Sequence, residues 1–259
     1  MNPRAPRATT ALIMSAWIVR KPRPLAKVRL FCFPYAGGGA SIYRVWPDAL
    51  PHLDICAIQP PGRETRTREQ PFTRLDPLVD AAVEAILPLL DPPFAFFGYS
   101  LGAYVAFEAA RRLRARGAPL PVRLFLAACP APQVPRRSPP IHELPDAELI
   151  QEIGRYAGTS AEVLQHQELM ALLLPLLRAD FCVHETYASR SEPPLDVPFS
   201  ILGGLNDEDV TREDLDAWRE HTTKAFMLRM FPGNHFFLNT ERTLLLTSVL
   251  QDLGPLLAG

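Results

Sequence analysis

The chain is poor in the features that would staple it, anchor it in a membrane or draw it to a polyanion. It has four cysteines in 259 residues, Cys32, Cys56, Cys129 and Cys182, and no C-x-x-C pair. That argues against a disulfide framework. Three of the four sit in apolar, strand-like runs, where a free cysteine packs as a small hydrophobe, as suits a reducing cytoplasm. No apolar stretch is long enough to span a bilayer. The run ALIMSAWIV follows Arg4 and Arg7, but it is short, is followed by Arg20 and Lys21, and lacks a small-residue cleavage site. It does not read as a signal peptide, and residues 1–15 are expected to form a flexible extension. The formal net charge is −1, which excludes general nucleic-acid binding. Glycine is sparse at 14 residues, with no G-x-G-x-x-G spacing and no Walker lysine, so neither phosphate-cradling motif is present.

What is abundant is apolar content, 47% of residues, ample for the core of one large α/β domain or two small ones. Apolar, β-rich runs recur at Val28–Phe33, Leu53–Ile58, Phe94–Phe97, Val122–Ala128, Phe199–Leu202 and Phe226–Phe231. Helix-compatible segments such as Leu75–Leu90 and Leu101–Arg116 lie between most of them. This alternation predicts a mostly parallel sheet with helices on both faces and right-handed crossovers. From Pro130 to Pro198 the rhythm breaks. A proline-rich stretch, PAPQVPRRSPP, precedes helical segments at Asp146–Tyr156 and at Ala161 through Tyr187, with Pro175 as a break. The stretch SEPPLDVP then returns the chain to the sheet. A helical insertion between such hinges has the pattern of a lid; the plainer alternative is a peripheral helical pair.

The chemistry concentrates in FAFFGYSLGAYVAFEAARRLRARG, from Phe94 to Gly117. A short apolar strand runs into G-x-S-x-G with Ser100 at its centre, and an amphipathic helix follows. That context is what a nucleophile elbow requires, with the serine on a strained turn and its hydroxyl exposed. Gly98 and Gly102 flank it where strand and helix approach too closely for a Cβ. A serine hydroxyl needs a base to take its proton and an acid to orient that base. Of six histidines, only His221 and His235 lie well beyond Ser100 and the insertion. His235 follows the last apolar strand in FPGNHFFL, at the carboxyl edge of the sheet, and is the preferred base. For the acid, GGLNDEDV offers both Asp207 and Asp209 at a strand end, and composition does not choose between them. Asp214 and Asp216 read as surface residues of the next helix. Two backbone N–H groups should face the developing oxyanion, one from Leu101 and one from Ala36 in FCFPYAGGGAS.

Taken together, these residues resemble the type II thioesterases that accompany polyketide and non-ribosomal peptide synthases. The similarity runs from about Trp17 onward and rests on FCFPYAGGGAS, IQPPGRETR, GYSLG, PLLRADF, LGGLNDEDV and FPGNHFFL. The PGRE and LRADF elements are the most specific to that family. The resemblance implies an α/β-hydrolase fold over residues 16–259, with a helical lid at about 138–195. It implies Ser100 as nucleophile, Asp207 as acid, His235 as base, and Ala36 with Leu101 as oxyanion donors. No metal and no organic cofactor is implied. The implied activity is hydrolysis of acyl groups from the phosphopantetheine arm of acyl or peptidyl carrier proteins, in the cytoplasm, by a monomer with no nucleic-acid or membrane partner. Tyr99 stands where the family commonly has histidine, so the pocket wall is expected to differ there. Leu172, Leu176 and Phe181 are expected to line the acyl pocket. Arg136 and Arg137, in the proline-rich hinge, are the expected docking residues for an acidic carrier, while Arg111 to Arg116 read as a solvated helix face. The rival readings are a general carboxylesterase or lipase acting on free small esters, and a non-catalytic binding module on the same fold.

Overall fold

In the computed structural model, residues 16–155 and 161–258 are described. The strands are β1 (Ile18–Arg20), β2 (Val28–Phe33), β3 (Leu53–Ile58), β4 (Phe94–Tyr99), β5 (Leu124–Ala127), β6 (Phe199–Gly204) and β7 (Phe226–Phe231). They form a seven-stranded sheet in the order β1-β3-β2-β4-β5-β6-β7. All neighbours pair in parallel except β1, which joins β3 antiparallel at the edge. The helices are α1 (Trp46–Ala49), α2 (Leu75–Ile86), α3 (Leu101–Ala115), α4 (Asp146–Arg155), α5 (Ala161–Gln165), α6 (Gln167–Thr186), α7 (Arg212–Asp216), α8 (Phe237–Thr240) and α9 (Arg242–Ala258).

The inner strands are apolar on both faces because both faces are covered. Phe94, Phe96, Leu124 and Leu126 point into one core, which α2 and α3 close with Val79, Val83, Ala106 and Leu113. Ala95, Phe97, Phe125 and Ala127 alternate into a second core, closed by Trp46 of α1 and by Leu245, Val249 and Leu253 of α9. A period of two along each strand thus feeds two separate cores. Each fully buried phenylalanine contributes about 2 kcal/mol by apolar area alone.

Several elements differ from the sequence-based expectation. The edge strand β1 and the C-terminal helix α9 were not expected. Helix α6 continues through Pro175, and the chain breaks before it, at His166, whose side chain caps the Leu169 N–H. The proline is tolerated because it and Ala171, whose carbonyl loses its partner, both face solvent. The residues expected as a flexible extension, 1–15, and Tyr156, the expected end of α4, lie outside the described residues. The insertion between β5 and β6 is helical and holds a small core of its own, in which Leu149 and Ile153 of α4 meet Met170, Leu174 and Leu177 of α6.

Candidate active site

Strand β4 ends in a turn that places Ser100 at φ +51°, ψ −118°. Such a backbone is unfavourable for a residue with a Cβ and persists only where neighbours enforce it. Here the Ser100 N–H donates to the Ala127 carbonyl at 2.8 Å, and the Ser100 carbonyl accepts from the Ala103 N–H at 2.8 Å. The flanking glycines are sterically obligatory. A Cβ on Gly98 would stand 2.2 Å from the Gly102 carbonyl oxygen, and one on Gly102 would stand 2.2 Å from that of Phe33. Helix α3 therefore starts in contact with the end of β2, and Leu101, its first residue, presents one of the unpaired N–H groups of a helix N-terminus beside Ser100.

Two loops complete the constellation. The loop after β6 is zipped to the loop after β7 by Leu205 N–H to Phe231 O at 2.8 Å and Asn206 N–H to Gly233 O at 2.9 Å. Across this junction the Asp207 carboxylate meets His235 Nδ1 at 2.8 Å. His235 Nε2 lies 3.3 Å from Ser100 Oγ, slightly long, as is common for such a contact before substrate tightens it. The Asp207 side chain is 1% exposed, and its second oxygen accepts the backbone N–H groups of Asp209 and Val210 at 3.0 and 3.2 Å. Asp209 is exposed at the rim of the site, and its backbone N–H is bonded to the Asp207 side chain. Desolvation at the rim and the nearby Asp207 charge raise its carboxyl above the ordinary range, while His235 opposes them. Of the two candidates left open by composition, the one in the chain of contacts is Asp207.

Above Ser100 opens a cavity of about 240 Å³, bordered by Ala36, Tyr104 and His235 and, from the insertion, by Leu177, Phe181 and His184. Phe181 lines this cavity. Leu172 does not, being 77% exposed, and Leu176 is buried against Gly62 instead. The cause is helical phase: Leu177, Phe181 and His184 follow at spacings of four and three on one face of α6, from which Leu172 and Leu176 are rotated away. Tyr99 is likewise displaced from its expected place in the pocket wall. It is wholly buried in the core beneath His235, where its hydroxyl donates to the His235 carbonyl at 2.5 Å and accepts the Leu238 N–H at 3.3 Å. It thereby holds the backbone of His235 from behind. His184, which sequence reasoning missed, stacks on Tyr104 at 5.2 Å. Desolvation, reinforced by Arg136, pushes its imidazole down to about 4.

Arg136 and Arg137 do lie at the cavity mouth, but both are already paired. Arg137 forks onto Asp214 at 2.6 and 2.7 Å, and Arg136 reaches Glu185 at 3.2 Å. Asp214, read from the sequence as a surface residue, is instead 4% exposed and closes a capping box with Thr211 at the start of α7. Nor is the arginine run of α3 simply solvated. Arg111 is 3% exposed, lies over the Phe107 ring and pairs with Glu108, while Arg112, Arg114 and Arg116 reach Asp76, Glu192 and Glu84. His221, the alternative base, contacts Gln133 instead. Among the described residues no group of histidine, cysteine and acidic side chains is arranged to hold a metal, and no helix is long and apolar enough to cross a membrane.

A less expected contact joins the two most distinctive motifs. Arg63 of PGRE and Asp180 of LRADF form a buried two-pronged ion pair at 2.7 and 2.9 Å. Behind the loop that carries Ala36, the same two side chains bond the N–H of Gly37 and the carbonyl of Gly38.

The chain is similar to known proteins over most of its length. A family model described as a thioesterase domain matches residues 28–256. The chain is 44% identical over 234 residues to the gramicidin S biosynthesis protein GrsT of Aneurinibacillus migulanus, covering 90% of this chain and 91% of that one. It is 38% identical to the thioesterase PikA5 of Streptomyces venezuelae, covering 87% of this chain and 81% of that one. Among solved structures it superposes on the type II thioesterase BorB of the borrelidin biosynthetic cluster with a TM-score of 0.84 and 37% identity, over 92% of this chain and 97% of that one.

Proposed function

The chain belongs to the thioesterase family, and from that premise we propose that it hydrolyses acyl groups from the phosphopantetheine arm of carrier proteins in non-ribosomal peptide or polyketide synthesis. In that role it clears stalled or misprimed chains. The observation that carries the reading is the continuous contact from Asp207 through His235 to Ser100 at the floor of the cavity. Ser100 Oγ attacks the thioester carbonyl while its proton passes to His235 Nε2. The carbonyl π electrons move onto oxygen, and the N–H groups of Ala36 and Leu101 stabilise that charge. Collapse breaks the C–S bond and expels the thiolate, which takes the proton from His235. Water then adds to the acyl-enzyme, giving its proton to the same imidazole. The second collapse releases the acid, and Ser100 Oγ recovers the proton. Asp207 keeps the imidazole in the tautomer that presents a bare Nε2 and stabilises the imidazolium between steps. The insertion acts as a lid whose Leu177, Phe181 and His184 close over the acyl group.

The test compares three substrates: an acetyl-loaded carrier protein, acetyl-N-acetylcysteamine and a nitrophenyl acetate. The carrier substrate should have the highest kcat/KM, and Ser100→Ala should lower kcat on it by roughly 10⁵–10⁶-fold. Preference for the free nitrophenyl ester would instead identify a general carboxylesterase.

A further inference from the structure

We infer that the buried Arg63–Asp180 pair is a positioning device for the oxyanion-binding loop, so that helix α6 of the insertion sets the placement of the Ala36 N–H. This rests on the reading of Ser100 as nucleophile and Ala36 as oxyanion donor, and extends it to two side chains that touch neither.

The loop from Tyr35 to Gly39 has few contacts of its own to hold it. One internal bond, Gly38 N–H to Tyr35 O at 2.9 Å, closes a turn around Ala36 and Gly37. Gly37 sits at φ +77°, a conformation that frees the loop to take other paths in the absence of outside restraint. The restraint comes from behind. Asp180 Oδ2 accepts the Gly37 N–H at 2.7 Å and Arg63 Nη1 at 2.7 Å, while the same Arg63 nitrogen donates to the Gly38 carbonyl at 2.9 Å. Arg63 Nη2 reaches Asp180 Oδ1 at 2.9 Å, and Arg63 Nε reaches the Pro61 carbonyl at 3.2 Å. The residue after the Ala36 donor is therefore gripped on its N–H by the Asp180 carboxylate, and the next one on its carbonyl by the Arg63 guanidinium.

Both side chains are deeply buried, Arg63 at 6% and Asp180 at 2% exposure. A buried ion pair is a poor device for stability alone, because desolvation offsets most of its attraction, whereas its fixed geometry suits positioning. The guanidinium fork is the part lysine cannot reproduce. Helix α6 adds a steric stop on the same peptide: a Cβ on Gly37 would stand 2.5 Å from Leu177 Cδ2. Leu177 and Asp180, three apart on α6, thus fix the loop, while Leu177 also lines the cavity. The acyl pocket and the oxyanion donor are in this way set by one helix.

The experiment uses the full chain with Arg63→Lys, which keeps the charge and loses the fork, and with the double substitution Arg63→Gln/Asp180→Asn, which removes both charges together. Each is assayed for kcat and KM on acetyl-N-acetylcysteamine, for inhibition by phenylboronic acid, and for Tm. The boronic acid reports on the loop because Ser100 Oγ adds to boron, its proton goes to His235, and a boron-bound oxygen takes the oxyanion position. The inference expects kcat to fall about 10²-fold, the scale of losing one oxyanion donor, with KM little changed and boronate affinity falling in parallel. Arg229→Met, which breaks the Asp252 pair at the far edge of the sheet, supplies a destabilised control that should leave kcat intact. The inference is overturned if both folded variants keep wild-type kcat, if the loss is confined to KM, or if the control reproduces it. Failure of the wild-type chain to cleave the thioester, or persistence of cleavage in Ser100→Ala, would instead remove the underlying reading.

Discussion

Asp207 and Asp209 share a loop and a charge, and what separates them is where their lone pairs are already directed. One oxygen of Asp207 is taken by two backbone N–H groups, which leaves the other fixed on His235 Nδ1. Asp207→Asn would keep the shape but offer either an amide or a carbonyl to the imidazole, freeing the tautomer. It should lower kcat by roughly 10²–10⁴-fold, whereas Asp209→Asn should leave kcat nearly unchanged. Steady-state kinetics on the two single variants decide this, and the reverse ranking would move the acid to Asp209. His184 carries a separate consequence for stability. Its folded pKa of about 4 lies below the ordinary 6.5, so between those values the unfolded chain binds more protons than the folded one. The folded state therefore keeps its full stability above about pH 6.5 and loses it as pH falls toward 4, by up to about 3 kcal/mol from this group. His184→Gln should flatten the dependence of Tm on pH within that window; an unchanged slope would mean that the ring is solvated.

Helix α6 is the element on which sequence reasoning was least secure, and the reason is physical. Where one rule operates alone, the chain was legible. Val28–Phe33, Leu53–Ile58 and Phe226–Phe231 match β2, β3 and β7 at both ends, because each is an apolar, β-rich run interrupted by a single charged residue, Arg29, Asp54 or Arg229. The elbow was equally legible, since glycine on both sides of the serine reflects backbone contacts that nothing larger permits. Strand β1, three residues long and antiparallel, carries too little pattern to detect. Helix α6 buries residues on two faces, one toward Ile153 and Leu149 and one toward the main body, so periodicity did not reveal which leucines meet the cavity. Asp180 and Arg63 were visible as motif letters, but a buried pair 117 residues apart has no local signature. Given the observed phase, Phe181→Ala should raise kcat/KM for longer acyl chains relative to acetyl, whereas Leu172→Ala should leave the chain-length profile unchanged. Profiles that shift equally in both variants would count against a pocket lined by this face.

For the molecule as a whole, charge is balanced, and the balance is local. The net charge is −1, and Arg111, Arg112, Arg114 and Arg116 each have an acidic neighbour, so net charge supplies no long-range attraction for the acidic carrier protein proposed as substrate. On the proposed function, steering of the carrier would have to come from cations close to the mouth, within about 8 Å at physiological ionic strength. Arg136 and Arg137 are both at the mouth, but they are not equivalent. Arg136 pairs with a Glu185 carboxylate that is 2% exposed and also accepts the N–H groups of Ile141 and His142 at 3.0 Å. Removing that arginine loosens the anchor of the insertion and should impair every substrate. Arg137 lies 58% exposed over a nearly buried Asp214, so its outer face is open to a partner although its inner face is paired. Reversal to glutamate would set two acids together and damage α7, whereas Arg137→Gln removes the charge with less disturbance. That variant should lower kcat/KM several-fold for an acyl-carrier substrate, through KM, and reduce its salt dependence. It should leave acetyl-N-acetylcysteamine largely unaffected. A loss equal on both substrates would assign Arg137 to the pocket, and no loss on either would place the docking surface away from this rim.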